Sequence, residues 1–265
     1  MFNWMSRNGR KRPEPTKKFP RATFDYGTPD GYEFYRRIRT LSEIDKKYLK
    51  GDVPFWLETI RHGTYDEFWK SRNIRPHLNN VNAAVMTVGG WFDAENLFGA
   101  LETYKSIEAR NPETVNTLVM GPWRHGGWAR GEGSFFGDIP FNAKTSEFYR
   151  EKIEFPFFQR HLKNKGETKH PEAWVFETGT NQWRKYDKWP PRKAQQRSLF
   201  LRADQQLSLD APTTKGRQNV FDEYLSDPNK PVGYINKIAT RSEERRGGKE
   251  GRAGRAACHT KKNTQ

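Results

Sequence analysis

Hydrophobic and polar positions divide the chain into stretches with different periodicities. Between residues 29 and 78, apolar and aromatic residues recur at helical spacing in short runs, which predicts several short helices. Their starts are indicated by Pro29 after Thr28 and by the capping-box pairs Thr40 with Glu43 and Thr64 with Glu67. Residues 1–28 are rich in proline, arginine and lysine and are expected to be extended. The aromatic side chains of residues 29–78 either pack a core or line a substrate pocket.

The middle of the chain has the pattern of a strand, a helix and a second strand. The run AAVMTV, which starts at Ala83, is almost continuously apolar, as in a parallel strand buried on both faces. Apolar residues then follow helical spacing up to Ile107, and the step Asn111-Pro112 ends this helix. TLVM, from Thr117 to Met120, predicts the next strand. A crossover of this length predicts a βαβ unit with parallel strands.

The pattern changes twice more towards the C-terminal end. Residues 145–163 predict a helix that packs on the sheet and is kinked or split at Pro156. Its inward residues are expected to be Phe148, Ile153, Phe157 and Leu162. After Gly166, short apolar runs alternate with turn residues, which indicates a β-sandwich or jelly roll. This pattern stops near Thr240, before two sheets could close.

Composition limits the class of protein. A length of 265 residues fits one large domain or two ordinary ones. Hydrophobic residues make up 34% and the mean hydropathy is −1.03, but an aromatic content of 14% still allows a core. No apolar run approaches the roughly 18 residues of a membrane span, so no membrane association is predicted. The first residues lack the apolar segment of a signal peptide.

The net charge of +15 is concentrated near the two ends. Residues 241–265 hold eight Lys or Arg against three Glu, and a second basic cluster lies in residues 1–21. Basic tails bind polyanions weakly and without specificity, and no nucleic-acid-binding motif occurs, so nucleic acid is not a predicted partner. Residues 241–265 lack aromatic residues and apolar periodicity and are interpreted as a non-native tail, disordered and dispensable. This tail contains Cys258, the single cysteine, which excludes a disulfide framework and thiol catalysis in the rest of the chain.

Two short motifs carry the candidate chemistry. GGWFDAEN, from Gly89 to Asn96, follows the first predicted strand, and GPWRHGGW, from Gly121 to Trp128, follows the second. Because parallel strands end at the same edge of a sheet, Asp93 and His125 are expected within hydrogen-bond reach. A catalytic histidine needs such a carboxylate to fix its tautomer. The structural alternatives are that Asp93 caps the following helix and that His125 is simply hydrogen-bonded.

An acid followed by a histidine is the order of an α/β-hydrolase triad, in which the serine comes first. No G-x-S-x-G motif surrounds any serine of the chain, so the nucleophile is expected upstream of Met1. The chain also lacks CxxC, HExxH and a glycine-rich phosphate loop, and no metal or cofactor is predicted. No role is assigned to four further histidines, His62, His77, His161 and His170.

Several segments resemble the α-amino acid ester hydrolases, within the wider family of cocaine esterase-like hydrolases and X-Pro dipeptidyl-peptidases. These segments are FDYGTPDGYEFY, GGWFDAEN, NTLVMGPWRHGGW, KTSEFYREKIEFPFF and VFETGTNQWRKYDKWPP. The resemblance implies an α/β fold, the C-terminal part of an α/β-hydrolase with a helical cap, followed by a truncated jelly roll. It assigns residues 1–80 to the cap, 81–166 to the hydrolase domain, 167–240 to the jelly roll and 241–265 to the non-native tail.

The resemblance also implies roles for individual residues. Asp93 matches the triad acid, His125 the triad base, and Glu95 one carboxylate of a cluster that holds the α-ammonium group of the substrate. Asn96 is the second predicted substrate-binding residue. It departs from the family pattern, which usually has an acid there, so strict specificity for α-amino substrates is put in question. The chain would thus be a serine hydrolase fragment, inactive by itself, whose full-length form acts on small amino acid esters or amides.

Other functions stay open at this point. The full-length protein could instead be an X-Pro dipeptidyl-peptidase or a general carboxylesterase, or the chain a non-catalytic β-sandwich binding module. The resemblance allows a homo-oligomer of the full-length enzyme. Relatives are often periplasmic or secreted, but the chain itself indicates no compartment.

Overall fold

The computed structural model describes residues 2–10, 14–15, 24–166, 170–202, 206–212, 224–231 and 238. They divide into two compact units, one formed by residues up to Arg72 together with those from Phe200 onward, the other by Asn73–Leu199. The predicted tail, residues 241–265 with Cys258, lies outside the described residues. Within the described residues, no helix is both long and apolar enough to cross a membrane.

The first unit is mainly helical, as predicted. Its helices are α1 (Phe2–Asn8), α2 (Gly31–Ile38), α3 (Leu41–Ile44), α4 (Pro54–Arg61) and α5 (Glu67–Lys70), with a π-helical turn at Asp45–Leu49. A core of apolar side chains joins all of these helices except α5, and it is formed by Phe2, Met5, Phe34, Ile38, Ile44, Leu49, Val53 and Trp56. Helix α1 corrects the expectation that residues 1–28 are extended, because Phe2 and Met5, three residues apart, place both side chains in this core. The unit also contains a two-stranded antiparallel ladder, β7 (Phe200–Arg202) and β8 (Gln206–Ser208).

Aspartates, rather than the predicted threonines, cap two of these helices. Asp30 accepts hydrogen bonds from the backbone N–H of Tyr32 at 2.9 Å and from Glu33, so α2 begins after it and not at Pro29. Asp66 caps α5 through the N–H of Phe68 at 3.1 Å. Thr40 stands at the start of α3 without a side-chain capping bond. The spacing therefore located the start of α3 but misplaced those of α2 and α5, where aspartate, a preferred N-cap residue, caps the helix.

The second unit contains a four-stranded sheet of β1 (Val85–Gly90), β2 (Asn116–Gly121), β5 (Ala173–Glu177) and β6 (Gln182–Tyr186), which neighbour one another in this order. The first three strands are parallel, and β6 is antiparallel to β5. Between β2 and β5 in sequence, β3 (Phe135–Phe136) and β4 (Ile139–Pro140) form a separate antiparallel pair. Helix α6 (Leu97–Arg110) connects β1 to β2, which confirms the predicted βαβ unit. Every residue of β2 is buried, as expected of a parallel strand covered on both faces.

Strands β5 and β6 correct the predicted domain boundary at residues 166 and 167. Both belong to the sheet of the βαβ unit, since Leu118 to Met120 of β2 pair with Ala173 to Val175 of β5. The sequence AWVF of β5 is buried along its whole length, which is the signature of an inner strand and not of a solvated sandwich strand. The jelly roll further along the chain stays a prediction.

Residues 145–163 are helical but change helix type along their length. They form α7 (Thr145–Phe148), a π-helical segment (Tyr149–Glu154) and α8 (Phe155–Lys163), and Pro156 lies in the first turn of α8. The segment is therefore divided just before Pro156, and the N–H of Phe155 bonds to the carbonyl of Arg150, five residues earlier. A proline lacks the N–H that a regular helix would need at this point.

One of the four side chains predicted to face inward on this segment does not. Ile153 and Phe157 are buried and Phe148 packs against the same core, but Leu162 is 72% exposed. Two side chains five residues apart face the same side of a π-helix, as Phe148 and Ile153 do. In an α-helix the same spacing rotates a side chain by about 140° past a full turn, which places Leu162 away from Phe157.

Candidate active site

The two motifs lie at the same edge of the sheet. Gly90 and Gly121 end β1 and β2 and are partners in the parallel register, so both following loops leave the sheet side by side. Their backbones bond directly: the N–H of Trp91 donates to the carbonyl of Gly121 at 2.9 Å, and the N–H of Phe92 donates to that of Trp123 at 3.1 Å. The two loops are thus tied together immediately before Asp93 and His125.

Gly90 makes this close approach possible. A Cβ added to Gly90 would collide with the backbone carbonyl of Trp123, the same oxygen that accepts the N–H of Phe92. Where another backbone segment leaves no room for a Cβ, as at Gly90, only glycine can occupy the position. The sequence motif marked two glycines before the tryptophan, but the physical reason for the second, Gly90, lies in the neighbouring loop.

Asp93 makes the predicted contact with His125 and also orders the turn before α6, although the N-cap of that helix is Asn96 and not Asp93. Its side chain is 2% exposed. One carboxylate oxygen, Oδ1, accepts the backbone N–H groups of Glu95 and Asn96, each at 2.9 Å. The other, Oδ2, lies 3.0 Å from Nδ1 of His125. The carboxylate therefore orders the turn that precedes α6 and contacts the imidazole at the same time, which confirms the predicted proximity.

The contact with Asp93 determines which nitrogen of His125 carries the proton. An ionised carboxylate only accepts hydrogen bonds, so Nδ1 must be the protonated nitrogen. In the neutral ring, Nε2 then has the lone pair and can accept a proton. The His125 side chain is 46% exposed and its ring lies 6.3 Å from that of Trp128, nearly perpendicular to it. The pair thus offers a proton acceptor that reaches solvent, held by a buried carboxylate.

Glu95 lies beside the outer nitrogen of this imidazole. Its Oε2 is 3.9 Å from Nε2 of His125, and its side chain is 59% exposed. Asn96, the other predicted substrate-binding residue, is placed differently. Its Oδ1 occupies the space that a side chain on Gly99 would fill, so the amide lies along the first turn of α6. The structure therefore brings Asp93, His125 and Glu95 together and gives Asn96 a contact within its own helix.

A second histidine–aspartate contact shows why proximity by itself does not define a site. Nδ1 of His62 lies 2.7 Å from Oδ2 of Asp66, and the His62 ring stacks on Phe68 at 4.4 Å. The hydrogen bond from His62 holds the pKa of the Asp66 carboxyl below its usual value. These residues are four apart in sequence and the contact closes a local turn between α4 and α5. Asp93 and His125 are instead 32 residues apart in sequence and are brought together by two neighbouring strands.

The hydroxyl groups of the first two serines that follow His125 in sequence are both hydrogen-bonded. The hydroxyl of Ser134 donates to Glu132 at 3.1 Å, and that of Ser146 donates to the carbonyl of Gly127 at 3.1 Å. An open groove of about 1390 Å³ involves the opposite ends of β2 and β5, where Asn116, His170 and Glu172 contribute to its lining. Across the part of the chain that the structure describes, no group of three His, Cys, Asp or Glu could hold a metal ion.

Sequence reasoning did not find the residues that support the His125 loop. Thr145 and Ser146 at the start of α7, and Arg150 in the π-helical segment, bond to backbone and side-chain groups of residues 123–133. They lie in the family-like segment KTSEFYREKIEFPFF, but no role was predicted for them, because most of their partners are main-chain carbonyls that any sequence could provide.

The chain is similar to known proteins in both sequence and fold. Residues 18–127 match the family model of the X-Pro dipeptidyl-peptidases of the S15 family. This match includes Asp93, Glu95 and His125. No curated protein sequence matches the chain. The family resemblance predicted from the motifs is confirmed.

Two solved structures are similar over most of the chain. One is an aminopeptidase from a marine sediment archaeon, Thaumarchaeota archaeon, with 28% identity, a TM-score of 0.72 and 90% of this chain covered. The other is an α-amino acid ester hydrolase, with 27% identity, a TM-score of 0.73 and 83% covered. The chain spans only 38% and 37% of the length of these two proteins. The described residues form a mixed α/β fold, and the proteins that they resemble are hydrolases.

Proposed function

We propose that the chain is the C-terminal part of a serine hydrolase with an α/β-hydrolase fold, in which Asp93 and His125 are the acid and base of a Ser/His/Asp triad. The observation that carries this proposal is the 3.0 Å contact between a buried carboxylate and Nδ1 of a histidine at the carboxyl ends of two parallel strands. The assignment of the helical unit to a cap and of the later strands to a jelly roll belongs to the same proposal.

The proposed chemistry needs a hydroxyl at Nε2 of His125. The imidazole takes the proton of a serine as its oxygen attacks the ester or amide carbon, and Asp93 stabilises the imidazolium that forms. His125 then returns the proton to the leaving group. Water or an amine releases the acyl group from the serine in a second step of the same kind. No described residue is assigned to the oxyanion hole.

The serine of this proposal is not among the 265 residues. The sequence contains no G-x-S-x-G motif, and in α/β-hydrolases the serine precedes the acid and the histidine. Ser134 and Ser146, the serines closest in sequence after His125, donate to Glu132 and Gly127. The similarity to proteins more than twice as long is consistent with a nucleophile on another segment.

Glu95 supports a substrate with an α-ammonium group next to the reacting carbonyl. Its exposed carboxylate lies 3.9 Å from Nε2 of His125, the nitrogen that would take the serine proton. A cation bound to this carboxylate would therefore lie close to the scissile bond. Both similar structures carry names, aminopeptidase and α-amino acid ester hydrolase, that describe such substrates. Asn96 provides no charge, which leaves Glu95 as the single carboxylate proposed for this contact on the loop.

An X-Pro dipeptidyl-peptidase is the second candidate, because that is the family whose model matches residues 18–127. The substrates of such a peptidase also have a free amino terminus, but their ammonium group lies two residues, rather than one, from the bond that is cleaved. The p-nitrophenyl ester of a single amino acid and an X-Pro p-nitroanilide therefore separate the two candidates. An equal rate with a simple acetate ester would favour a general carboxylesterase, and binding on a glycan array without turnover would favour a binding module.

The 265-residue chain itself is expected to be inactive as an esterase. Without the nucleophile, the remaining triad members and binding groups provide little catalysis. The purified chain should show no hydrolysis of amino acid p-nitrophenyl esters above buffer, and a fluorophosphonate probe should leave it unlabelled. Stoichiometric labelling of any serine in the chain would contradict the proposal.

In the complete enzyme, Glu95→Gln is expected to lower kcat/KM for amino acid esters by roughly 10- to 100-fold, the loss of one charge-assisted contact. Esters that lack the amine should be affected much less, while Asn96→Asp should act in the opposite direction by adding negative charge. The measurement is kcat/KM for a matched pair of esters with and without the α-amino group. If Glu95→Gln slows both esters equally, Glu95 supports the loop and does not bind ammonium.

A further inference from the structure

We propose that Ser146 and Arg150 are positioning residues, which hold the loop of His125 so that its imidazole stays on Asp93. The proposal rests on the proposed function, because it concerns the geometry of the same pair. Both residues act through hydrogen bonds to main-chain carbonyls of the loop that carries His125, and these bonds do not involve the imidazole ring.

The two partners of the pair are held to very different degrees. Asp93 is buried and fixed by two backbone N–H groups. His125 is half-exposed, and its loop contains three glycines with left-handed backbone angles, Gly126, Gly131 and Gly133, with φ of +69°, +60° and +72°. Glycines leave a loop many alternative conformations. The position of the imidazole therefore depends on groups outside the loop.

Ser146 fixes the backbone two residues after His125. Its hydroxyl, in a side chain with no exposed surface, donates to the carbonyl of Gly127 at 3.1 Å. Its own N–H donates to the carbonyl of Glu132 at 2.9 Å. One residue thus bonds to the loop at two points and sets the orientation of the peptide unit between Gly127 and Trp128.

Arg150 bonds to the loop at two further carbonyls. Nη1 donates to the carbonyl of Trp128 at 3.0 Å, and Nη2 donates to that of Gly131 at 2.8 Å. A guanidinium presents its donors in a rigid plane, so these two bonds fix the distance between the two carbonyls. A lysine has the same charge but no such fork, which makes Arg150→Lys a change of geometry and not of charge.

The neighbouring Thr145 completes the support on the other side of the histidine. Its hydroxyl oxygen accepts the indole N–H of Trp123 at 2.9 Å and donates to the carbonyl of Gly133 at 2.7 Å. The residue two positions before His125 and the residues that follow it are therefore attached to one helical segment, residues 145–150. Tyr149 of that segment and Ile153 just beyond it pack in the core, so the segment can act as a rigid support.

The test follows the tautomer of His125 in the ¹⁵N-labelled 265-residue chain. At a pH at which the ring is neutral, the ring ¹⁵N shifts report which nitrogen carries the proton, and the wild type should carry it on Nδ1 because Asp93 accepts it. In Ser146→Ala we expect the ratio of the two tautomers to change towards Nε2–H by roughly five-fold, the effect of one net hydrogen bond. Signals of His125 are assigned by their loss in His125→Gln.

Two further variants separate positioning from folding. Arg150→Lys should shift the tautomer ratio in the same direction. Because Arg150 is partly exposed whereas Ser146 is buried, this substitution leaves the core unchanged. Ser6→Ala, in the helical unit, is the matched control, since it also removes a buried serine hydroxyl. This hydroxyl makes no hydrogen bond among the described residues. It should leave the His125 shifts at their wild-type values.

The outcomes distinguish this proposal from the proposed function. If the wild-type ring has no preference for Nδ1–H, the pair of Asp93 and His125 fails and both proposals fall. If Asp93→Asn shifts the proton but folded Ser146→Ala and Arg150→Lys both keep the wild-type ratio, the positioning role is wrong and the triad assignment stands. A shift in Ser6→Ala as large as in Ser146→Ala would show that general loosening, not the loop contact, changes the ring.

Discussion

Replacing Asp93 by asparagine is expected to lower kcat of the complete enzyme by about 10⁴-fold, the effect that this change has in a Ser/His/Asp triad. The amide of asparagine can donate to Nδ1 of His125, which moves the ring proton to Nε2. The lone pair that should accept the serine proton is then missing. Because Oδ1 still accepts from Glu95 and Asn96, the turn before α6 is expected to keep its shape.

The measurement is kcat for an amino acid ester, together with the ¹⁵N shifts of His125 in the 265-residue chain. The matched control is Asp66→Asn, which alters the local contact with His62 in the helical unit and should leave kcat near the wild-type value. A loss of less than about ten-fold in Asp93→Asn, with the chain folded, would exclude Asp93 as the triad acid.

Gly90→Ala is expected to reduce the free energy of unfolding of the sheet unit by about 3 kcal/mol, at the upper end of the usual cost of overpacking. The added methyl would collide with the carbonyl of Trp123, a rigid backbone group that already bonds to Phe92. The loops of Asp93 and His125 would have to separate, so the tautomer preference of His125 should weaken as well.

Hydrogen exchange of the β2 amides Leu118 and Val119 measures this loss of stability. Gly126→Ala is the control, because a Cβ there meets open space and the cost is limited to its left-handed backbone, about 1–2 kcal/mol. Equal protection in Gly90→Ala and wild type would mean that the two loops are not packed backbone against backbone.

The sequence was sufficient for the part of the site that depends on local pattern. A buried apolar run, a helix and a second run determined the βαβ unit, and the rule that parallel strands end at one edge placed Asp93 near His125. The helical character of residues 29–78 and the inward faces of Ile153 and Phe157 followed in the same way from periodicity. These features depend on residues close in sequence, or on a chain direction that the connection imposes.

Features that depend on partners distant in sequence were decided only by the tertiary structure. The membership of β5 in the sheet is determined by pairing with β2, more than 50 residues earlier, and the exposure of Leu162 by a π-helical turn that changes the phase of the helix. The collision that requires Gly90 and the bonds of Ser146 and Arg150 all involve main-chain carbonyls. Every residue has such a carbonyl, so no residue type announces the contact. A sequence pattern identifies which side chains can react, whereas the folded backbone decides which groups hold them in place.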